Sequence, residues 1–557
     1  MAEYDDRAPV TQTPFSRDGK SLQPGIVTAR KGLLTNISNL ERGPEYAREL
    51  NNLQMIRPGI WTNQGIGWTK HRAAAFTGTF LEFSFFVDNA GTRTLLFQSG
   101  TKLNSYNLGT QTATDILTGL SINHVPTIRR SYSPTTGASI VIFCNGNIEP
   151  KKITSTSTAT DLQFNGGTFP GVFNGKTYSK PKYCEPFGER FVYGGFPDAN
   201  TAFDILISDQ ADPESFTMST PSTDTDAVAF TYPPELGALK TIRVHTINND
   251  NSSQIIIGGC TDGIFAIFGS SASEFGLKIL TRQLGIVSNR CWVNLGDDLL
   301  YLSNAGIRNF NGLAISAVLS PDALSYPIAD LVAEVDLDNA HLAHAVHNPR
   351  TQEVQFWCPI IGSGGIVKKA FVLKYESAGG QVIPIWSTKD GTEVSASIYF
   401  NGVMYGGNSD ARLQVHYSGN SYDGTFYSSR LTTALVSLGN VQQKCSMRNV
   451  EIVTDGNNQK FNFVSYIYSR YEDNSFRREA AEPGSTLLET SGGSTTALRE
   501  WVLGSGAFPS LHPKLISYQP LGNGVFWDFE ITTSASDHAL DFAGVAYTLS
   551  GGSLNRG

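Results

Sequence analysis

Short runs of alternating apolar and polar residues, separated by turn residues, recur through the middle of the chain. Residues 94–98 form one such run, residues 99–101 supply a turn that contains Gly100, and residues 102–106 form a second run. Alternation with a period of two is typical of strands, and glycine between two such runs favours a tight turn. This segment is therefore predicted to be an antiparallel β-hairpin.

The hairpin pattern returns at intervals of roughly 40 to 50 residues, which is the period of propeller blades. Radial repetition of such sheets avoids long exposed strand edges. We therefore predict an all-β fold in which residues 67–417 form a β-propeller of about six to seven blades. In the last copy, residues 397–405 are read as one strand and residues 408–410 as its turn. The other copies lie at residues 139–148, 254–268 and 298–310, with intermediate units at 190–194 and 353–357.

The pattern changes on both sides of this repeat. Residues 1–66 are polar and weakly patterned, with one helical candidate at 45–53, and they predict an N-terminal extended arm with the first propeller contacts. From residue 418 the alternating runs lengthen, which predicts a C-terminal antiparallel β-sandwich, or assembly module, over residues 418–557. These longer runs cover residues 444–453, 461–468, 524–531 and 538–547.

One break in the strand rhythm has the features of a short helix. Ser320 is a favourable N-cap, Pro321 is suited to the first helical position, and Pro327 is expected to end or kink the helix. This helix is predicted to lie on the face or rim of the propeller.

Composition supports the all-β prediction and narrows the class of partner. Charged residues make up 17% of the chain, against about 25% in typical soluble domains. The net charge of −8 argues against a nucleic-acid-binding surface, which needs clustered lysine and arginine. Neither a signal peptide nor an apolar run of about 18 residues is found, so we expect a soluble product made in a cytoplasm.

Six scattered cysteines complete the composition. None of them belongs to a C-x-x-C pair, and most fall within apolar strand-like runs, which favours buried free thiols over disulfides or metal ligands. They are Cys144, Cys184, Cys260, Cys291, Cys358 and Cys445.

Motifs that place catalytic residues on propellers or hydrolases are missing from the sequence. None of the seven tryptophans follows the Ser-x-Asp-x-Gly turn of sialidase-like blades, and Trp527–Asp528, the one WD dipeptide, lies beyond the repeats. Residues 492–496 and 504–506 lack the spacing of a nucleophile elbow. Glycine doublets such as 258–259 suggest kelch blades only weakly, because turns demand glycine anyway. The sequence therefore predicts no enzyme and no catalytic residue.

The histidines and the acidic turns include residue types that can bind metal ions. His341, His344 and His347 are spaced by three, which would gather them with Asp338 on a helix, but a strand over 342–347 places residues three apart on opposite faces. The Asp- and Asn-rich segments 248–252 and 455–458 lack the spacing of a calcium loop and are read as turns. No metal or cofactor is expected.

Several segments, taken together, resemble the tail hub or nozzle proteins of short-tailed, podovirus-type bacteriophages. The resemblance is a pattern that covers most of the chain and includes no catalytic motif. Its clearest part is a strand followed by a glycine-rich segment that leads into a Leu-Ser-x-x-Gly-Ile hairpin. The segments that carry it are residues 32–36, 47–53, 56–59, 208–216, 260–267, 285–292, 296–307, 525–531 and 539–545.

The resemblance implies a structural virion protein of the viral tail. It implies a homohexameric ring around the DNA ejection channel, docked to the head-to-tail adaptor protein and to tail fibres, spikes or tip proteins. DNA would pass through the lumen without specific binding, and acidic charge there would keep it from adhering. The alternatives are a glycan-binding propeller for host attachment and a propeller glycosidase.

Overall fold

The computed structural model describes most of the chain in two compact units. The circular unit comprises residues 68–374 and 390–418, and the terminal unit comprises the described parts of 1–67, 375–389 and 419–557. The described residues are 22–38, 41–88, 90–132, 137–220, 223–246, 254–296, 298–310, 323–378, 381–437, 445–455, 460–470, 476–481, 485–489, 513–518, 520–521, 523–533 and 540–551.

The described residues are almost all in β-strands and their connecting turns, as the sequence predicts, with 54% of them in strands and 3% in helices. Helices in the described ranges are single turns at Pro234–Leu236, Tyr326–Ile328, Ala329–Val332 and Ala340–Leu342. None of these helices has the length and hydropathy needed to span a bilayer. The predicted N-cap at Ser320 and Pro321 lies outside the described residues, as do 248–252, most of 455–458, 492–496 and 504–506.

Five short strands open the described chain, the first four in the terminal unit and the fifth in the circular unit. They are β1 (Leu22–Val27), β2 (Ala47–Asn51), β3 (Gln54–Arg57), β4 (Ile60–Thr62) and β5 (Trp68–Lys70).

The first sheets of the circular unit are antiparallel and built from consecutive strands. The first comprises β6 (Phe80–Val87), β7 (Arg93–Ser99), β8 (Lys102–Asn107) and β9 (Thr112–Leu117). The second comprises β10 (Thr127–Tyr132), β11 (Ser139–Cys144), β12 (Lys151–Ile153) and β13 (Ala159–Asp161). Two small hairpins follow, formed by β14 (Gln163–Phe164), β15 (Gly167–Thr168), β16 (Gly171–Phe173) and β17 (Lys176–Tyr178).

The next three sheets continue in chain order. The third comprises β18 (Tyr183–Phe187), β19 (Arg190–Gly194), β20 (Asp204–Ile207) and β21 (Val228–Thr231). The fourth comprises β22 (Leu239–Thr246), β23 (Gln254–Cys260), β24 (Ile264–Phe268) and β25 (Gly276–Thr281). The fifth comprises β26 (Trp292–Asn294), β27 (Leu299–Ser303) and β28 (Gly306–Asn309).

Two further sheets complete the circular unit. The sixth comprises β29 (His344–Asn348), β30 (Glu353–Pro359) and β31 (Val367–Ala378), and β32 (Gln381–Lys389) follows in the chain. The seventh comprises β33 (Ala396–Phe400), β34 (Val403–Gly407) and β35 (Leu413–His416) together with β5.

The seven sheets in the described part of this unit follow one another around a closed circle. The first strand of each sheet contacts the first strand of the next, from β6 through β10, β18 and β22, and from β26 through β29 and β33 back to β6. Between β22 and the fifth sheet, Arg243 Nη2 donates to the Asn289 carbonyl oxygen at 2.7 Å. The first strands therefore enclose a common axis, as they do in propeller-like folds.

A strand from the other end of the chain completes the seventh sheet. Trp68 on β5 pairs with His416 on β35, and its Nε1 donates to Thr392 Oγ1 at 2.8 Å. The circle is therefore closed by hydrogen bonds between distant parts of the sequence.

Two sequence predictions of local structure are wrong. The helix predicted at 45–53 is replaced by β2, which pairs with Ser429–Thr433, because tertiary pairing outweighs helix propensity in so short a segment. The run 397–405 is two strands with a turn at Asn401, whose φ is +49°, and Gly402, whose φ is +81°. An Asn-Gly pair with positive φ is the preferred two-residue hairpin turn.

The terminal unit contains two sheets built from the remaining strands. In one, β3, β4, β44, β37 and β41 are neighbours, with β1 on β44 and β42 on β37. In the other, β32, β2, β36, β43, β38 and β39 are neighbours, with β40 on β38. The remaining bounds are β36 (Ser429–Thr433), β37 (Cys445–Asp455), β38 (Lys460–Arg470), β39 (Phe476–Ala480), β40 (Thr486–Glu489), β41 (Pro513–Tyr518), β42 (Asn523–Gly524), β43 (Phe526–Thr533) and β44 (Asp541–Gly551).

Aromatic rings connect these two sheets. The Phe463 ring lies 5.1 Å from that of Tyr518, and the Phe529 ring lies 6.2 Å from that of Tyr547. Phe463 and Phe529 belong to β38 and β43, whereas their partners belong to β41 and β44, so an aromatic core lies between the sheets.

Candidate functional site

Charged side chains from successive sheets meet at the axis of the circular unit. Arg129 on β10 donates through Nε to Glu185 Oε2 on β18 at 2.6 Å, and its Nη1 lies 3.8 Å from Glu82 Oε1 on β6. Arg243 on β22 donates through Nη1 to the same Glu185 oxygen at 3.2 Å. The carboxylate of Glu185 therefore holds arginines from the two sheets on either side of its own.

Burial governs the electrostatics of this network. The side chains of Glu82, Arg129, Glu185 and Arg243 are only 12%, 14%, 14% and 17% exposed. Burial raises the pKa of Glu82 and of Glu185, and the positive charge of Arg129 partly opposes both shifts. Burial disfavours the charged form of Arg129, but Glu185 and Glu82 outweigh it and raise the pKa of Arg129.

Arg290, which precedes β26, ties three chain segments together through backbone carbonyls. Its Nη1 donates to the carbonyl oxygen of Leu81 on β6 and to that of Ser395, just before β33, at 3.0 Å. Its Nη2 donates to the Leu342 carbonyl oxygen, ahead of β29, at 2.5 Å. Arg290 is 6% exposed, and burial lowers its pKa. It therefore joins the first strands where the last sheet meets the first.

A layer of neutral side chains lies beside these charges. Asn289 Nδ2 donates to Thr127 Oγ1 at 2.9 Å, and Asn289 Oδ1 accepts from Thr241 Oγ1 at 2.8 Å. Thr127 Oγ1 in turn donates to the Lys182 carbonyl oxygen at 3.1 Å. The second, third, fourth and fifth sheets are thereby connected at the axis.

The chemistry that this arrangement supports is cross-linking of strands. The carboxylates of Glu82 and Glu185 face arginines, and the Arg290 guanidinium is engaged by three carbonyls. A general acid must be able to reach its substrate with a proton. These groups instead hold neighbouring sheets of the same unit.

A cavity of about 270 Å³ lies between the third and fourth sheets. Its polar lining is largely bonded within the protein. Glu189 Oε2 accepts from Gln210 Nε2 at 2.6 Å, and Gln254 Oε1 accepts from the Gly188 amide at 2.9 Å. The Arg190 guanidinium donates to three backbone carbonyl oxygens. The cavity is therefore polar, and its side chains already have partners.

A second charged network lies on the terminal unit. Asp528 on β43 has a fully buried side chain, and it accepts from Arg478 on β39 at 3.2 Å and from Arg48 on β2 at 3.2 Å. Tyr468 donates at 2.9 Å to Asp528 Oδ2, the oxygen that also accepts from Arg48. Arg478 also lies 3.3 Å from Glu530 Oε2. Burial raises the pKa of Asp528, against the opposing charge of Arg478.

The histidines and cysteines fall where strand patterning places them. His344 and His347 lie on β29, with His344 buried and His347 half-buried, whereas His341 lies on the preceding helical turn. Within the described ranges, no three His, Cys, Asp or Glu side chains are arranged to hold a metal ion. All six cysteines are buried and free, which confirms that prediction.

The axis residues were not found from the sequence, although one signal was present. The tripeptide Thr-Ile-Arg occurs at 127–129 and again at 241–243. Both copies occupy a first strand, and both supply a threonine bonded at the axis and an arginine bonded to Glu185. The repeat therefore marks equivalent inner positions of two sheets.

Comparison with known proteins assigns no family. No family model matches the chain, and no curated protein matches it. Among solved structures, a computationally designed protein, Ika8, is 11% identical with a TM-score of 0.32, covering 62% of this chain and 97% of its own. The WD40 β-propeller domain of Doa1 is 9% identical with a TM-score of 0.34, covering 63% and 96%.

A third structure is the extracellular domain of a one-component system from Bacteroides thetaiotaomicron. It is 9% identical with a TM-score of 0.38 and covers 92% of this chain and 67% of its own. These similarities are too low to assign the chain to any of these groups.

Proposed function

We propose that this chain is a structural virion protein of the tail hub or nozzle of a short-tailed bacteriophage. Six copies would form a ring around the DNA ejection channel, docked to the head-to-tail adaptor and to fibre, spike or tip proteins. The proposal is supported by the sequence resemblance and by the nature of the axis network.

The axis network is the observation that carries a scaffolding role. A propeller that acts on a ligand at its axis needs polar groups that remain available to the ligand. Here Arg129, Arg243 and Arg290 are bonded to carboxylates or carbonyls of the same unit. Such an axis favours mechanical cohesion over catalysis or glycan recognition.

Within this proposal the seven sheets are the blades of a seven-bladed propeller, closed by β5. The two sheets of the terminal unit, with aromatic rings between them, form a β-sandwich that serves assembly. A ring of identical chains closes when each copy repeats the same rotation through a heterologous interface. The net charge of −8 suits a lumen that DNA passes without binding.

Electron microscopy of particles assembled with and without this gene product tests the proposal. We expect filled heads that lack a tail tip or leak DNA when the product is missing, and complete tails when the wild-type chain is supplied in trans. Complete tails that have lost only adsorption would contradict the hub role and favour glycan binding.

Mass photometry of the purified chain tests the oligomer independently. The proposal expects a species of about six times 60.4 kDa. A chain that stays monomeric both alone and with the adaptor protein would count against the ring.

A further inference from the structure

Three basic side chains lie together at one end of the axis, beyond the arginine network. Lys182 immediately precedes β18, Lys240 is the second residue of β22, and His341 lies on the turn before β29. Because β18 contacts β22 and both strands begin at this end, the two lysines occupy neighbouring positions. We name Lys182, Lys240 and His341 the axis-mouth cluster.

The positive charges of this cluster act on one another. Burial lowers the pKa of Lys182, and the charge of Lys240 lowers it further. Burial also lowers the pKa of His341, as do the charges of Arg290, Lys182 and Lys240. Hydrogen bonds place the three residues at one level of the axis. Thr127 links the Lys182 carbonyl oxygen to Asn289, and Asn289 accepts from Thr241, which follows Lys240. Ser288, next to Asn289, donates to the His341 carbonyl oxygen at 3.2 Å.

No described acid neutralises the two lysines. Neither Lys182 nor Lys240 forms an ion pair with a described residue, although nearby Arg129 and Arg243 share Glu185. The Lys182 ammonium lies over the Tyr183 ring, with Nζ 5.4 Å from its centroid. Half-buried like charges that lack a counterion are costly, and a bound anion removes that cost.

The stem of Lys182 is held in place by backbone. A Cβ on Gly146 or on Gly195 would lie 3.1 Å from Lys182 Cβ, so the chain packs closely on both sides of it. The Lys182 carbonyl oxygen accepts from Thr127 Oγ1, which fixes the adjoining backbone. The base of the Lys182 side chain is therefore held by close packing, unlike that of a freely exposed surface lysine.

From this geometry we infer that the axis-mouth cluster binds a small oxyanion group, with phosphate as the chemical class. Two ammonium groups match the charge of a phosphate dianion, and the imidazole N–H of a neutral His341 can donate to it. The inference does not depend on a role in a virion. It concerns a ligand at the mouth of the axis, whereas the arginine network below it is already bonded.

Phosphate binding by the full-length chain is the first test. Inorganic phosphate is titrated at pH 7 and constant ionic strength, with binding followed by ³¹P linewidth and by calorimetry. We expect one saturable site per chain. The double variant Lys182→Gln/Lys240→Gln should weaken binding at least about tenfold, because two charge-assisted hydrogen bonds are lost. The matched control is Lys278→Gln on β25, an exposed lysine outside the cluster, which should bind as the wild type does.

A second readout reports the site itself. NMR of ¹³C-methylated lysines gives the pKa of Lys182, which should rise when phosphate is added. The single variant Lys240→Gln should raise the pKa of Lys182 in the absence of ligand and should weaken phosphate binding. It is the alternative test if the double variant does not fold. Phosphate effects that do not saturate, or that are equal in the double variant and Lys278→Gln, would overturn the inference.

Discussion

The axis of the circular unit and the face of β43 in the terminal unit both rely on buried arginines, but the arginines join different parts of the structure in the two places. At the axis, Arg129, Arg243 and Arg290 bond across sheets whose backbones belong to separate hydrogen-bonded ladders. On the terminal unit, Arg48, Arg478 and Asp528 lie on strands of one continuous sheet. The first network joins parts that backbone pairing leaves separate, whereas the second adds to an existing ladder.

This difference predicts an order of stability effects. Removing one member of a buried charged network leaves its partners unpaired in low dielectric, and the cost grows when no other contact can replace it. Substitutions at the axis should therefore destabilise the fold more than equivalent substitutions on β43. Hydrogen-exchange mass spectrometry in urea reports the free energy of opening separately for peptides of each unit.

Arg290→Met should have the largest effect. The carbonyls of Leu81, Leu342 and Ser395 lose their donor together, so we expect a loss of about 3 to 5 kcal/mol in peptides from β6 and β33. Peptides from β43 serve as the internal control. A loss of stability smaller than that caused by Arg478→Met on the terminal unit would refute the idea that the axis holds the sheets together.

Arg129→Met should cost about 3 kcal/mol at pH 7, because Glu82 and Glu185 remain buried without their closest cation. Both carboxyls already have pKa values raised above 4.5, and removal of Arg129 should raise them further. A raised folded pKa gives stability that is present below the unfolded value and lost as pH rises through the folded value.

The Arg129→Met deficit should therefore shrink as the pH falls from 7 towards 4.5. Unfolding curves recorded across this range measure the trend. The variant Arg129→Met/Glu185→Gln should recover part of the stability at pH 7. A deficit that stays constant with pH would show that packing of the arginine stem, and not buried charge, is what the substitution removes.

Arg478→Met on the terminal unit should cost less, about 1 to 2 kcal/mol. Asp528 keeps Arg48 and Tyr468 as partners, and Glu530 keeps Arg430 at 2.8 Å. Hydrogen exchange in peptides from β38 and β43 measures this change in stability. An effect as large as that of Arg290→Met would remove the contrast between the two networks.

Arg282→Met sets the lower end of the scale. Arg282 and its partner Glu235 are 54% and 55% exposed, and an ion pair so screened by water contributes little to stability. We expect thermal and urea unfolding close to those of the wild type. A larger loss would mean that arginine substitution alone destabilises the circular unit.

Local patterning was sufficient to predict the hairpins. Alternation and a central glycine located β7 and β8, and the same logic located β23 with β24 and β27 with β28. It failed at Asn401–Gly402, where the turn signal was present but the apolar run around it was read as continuous. It failed at β2 because the pairing partner lies near residue 430, beyond the reach of any local window.

The axis network could not be assembled from sequence in the same way. Arg129 and Glu185 are 56 residues apart, and Glu185 and Arg243 are 58 apart. The packing of consecutive sheets brings these positions together, so their proximity depends on the register between one sheet and the next. The repeated Thr-Ile-Arg tripeptide is the sequence feature that reflects this arrangement.

The time needed for synthesis limits when β5 can close the circle. The hydrogen bond from the Trp68 indole to Thr392 cannot form until Thr392, which is 324 residues later in the chain, has been synthesised. At translation rates of 5–20 residues per second this takes on the order of 20 to 60 s. During that time β5 has no partner strand, and it presents a strand edge that a chaperone or a neighbouring copy can occupy. The circle can therefore be completed only after β35 has been synthesised.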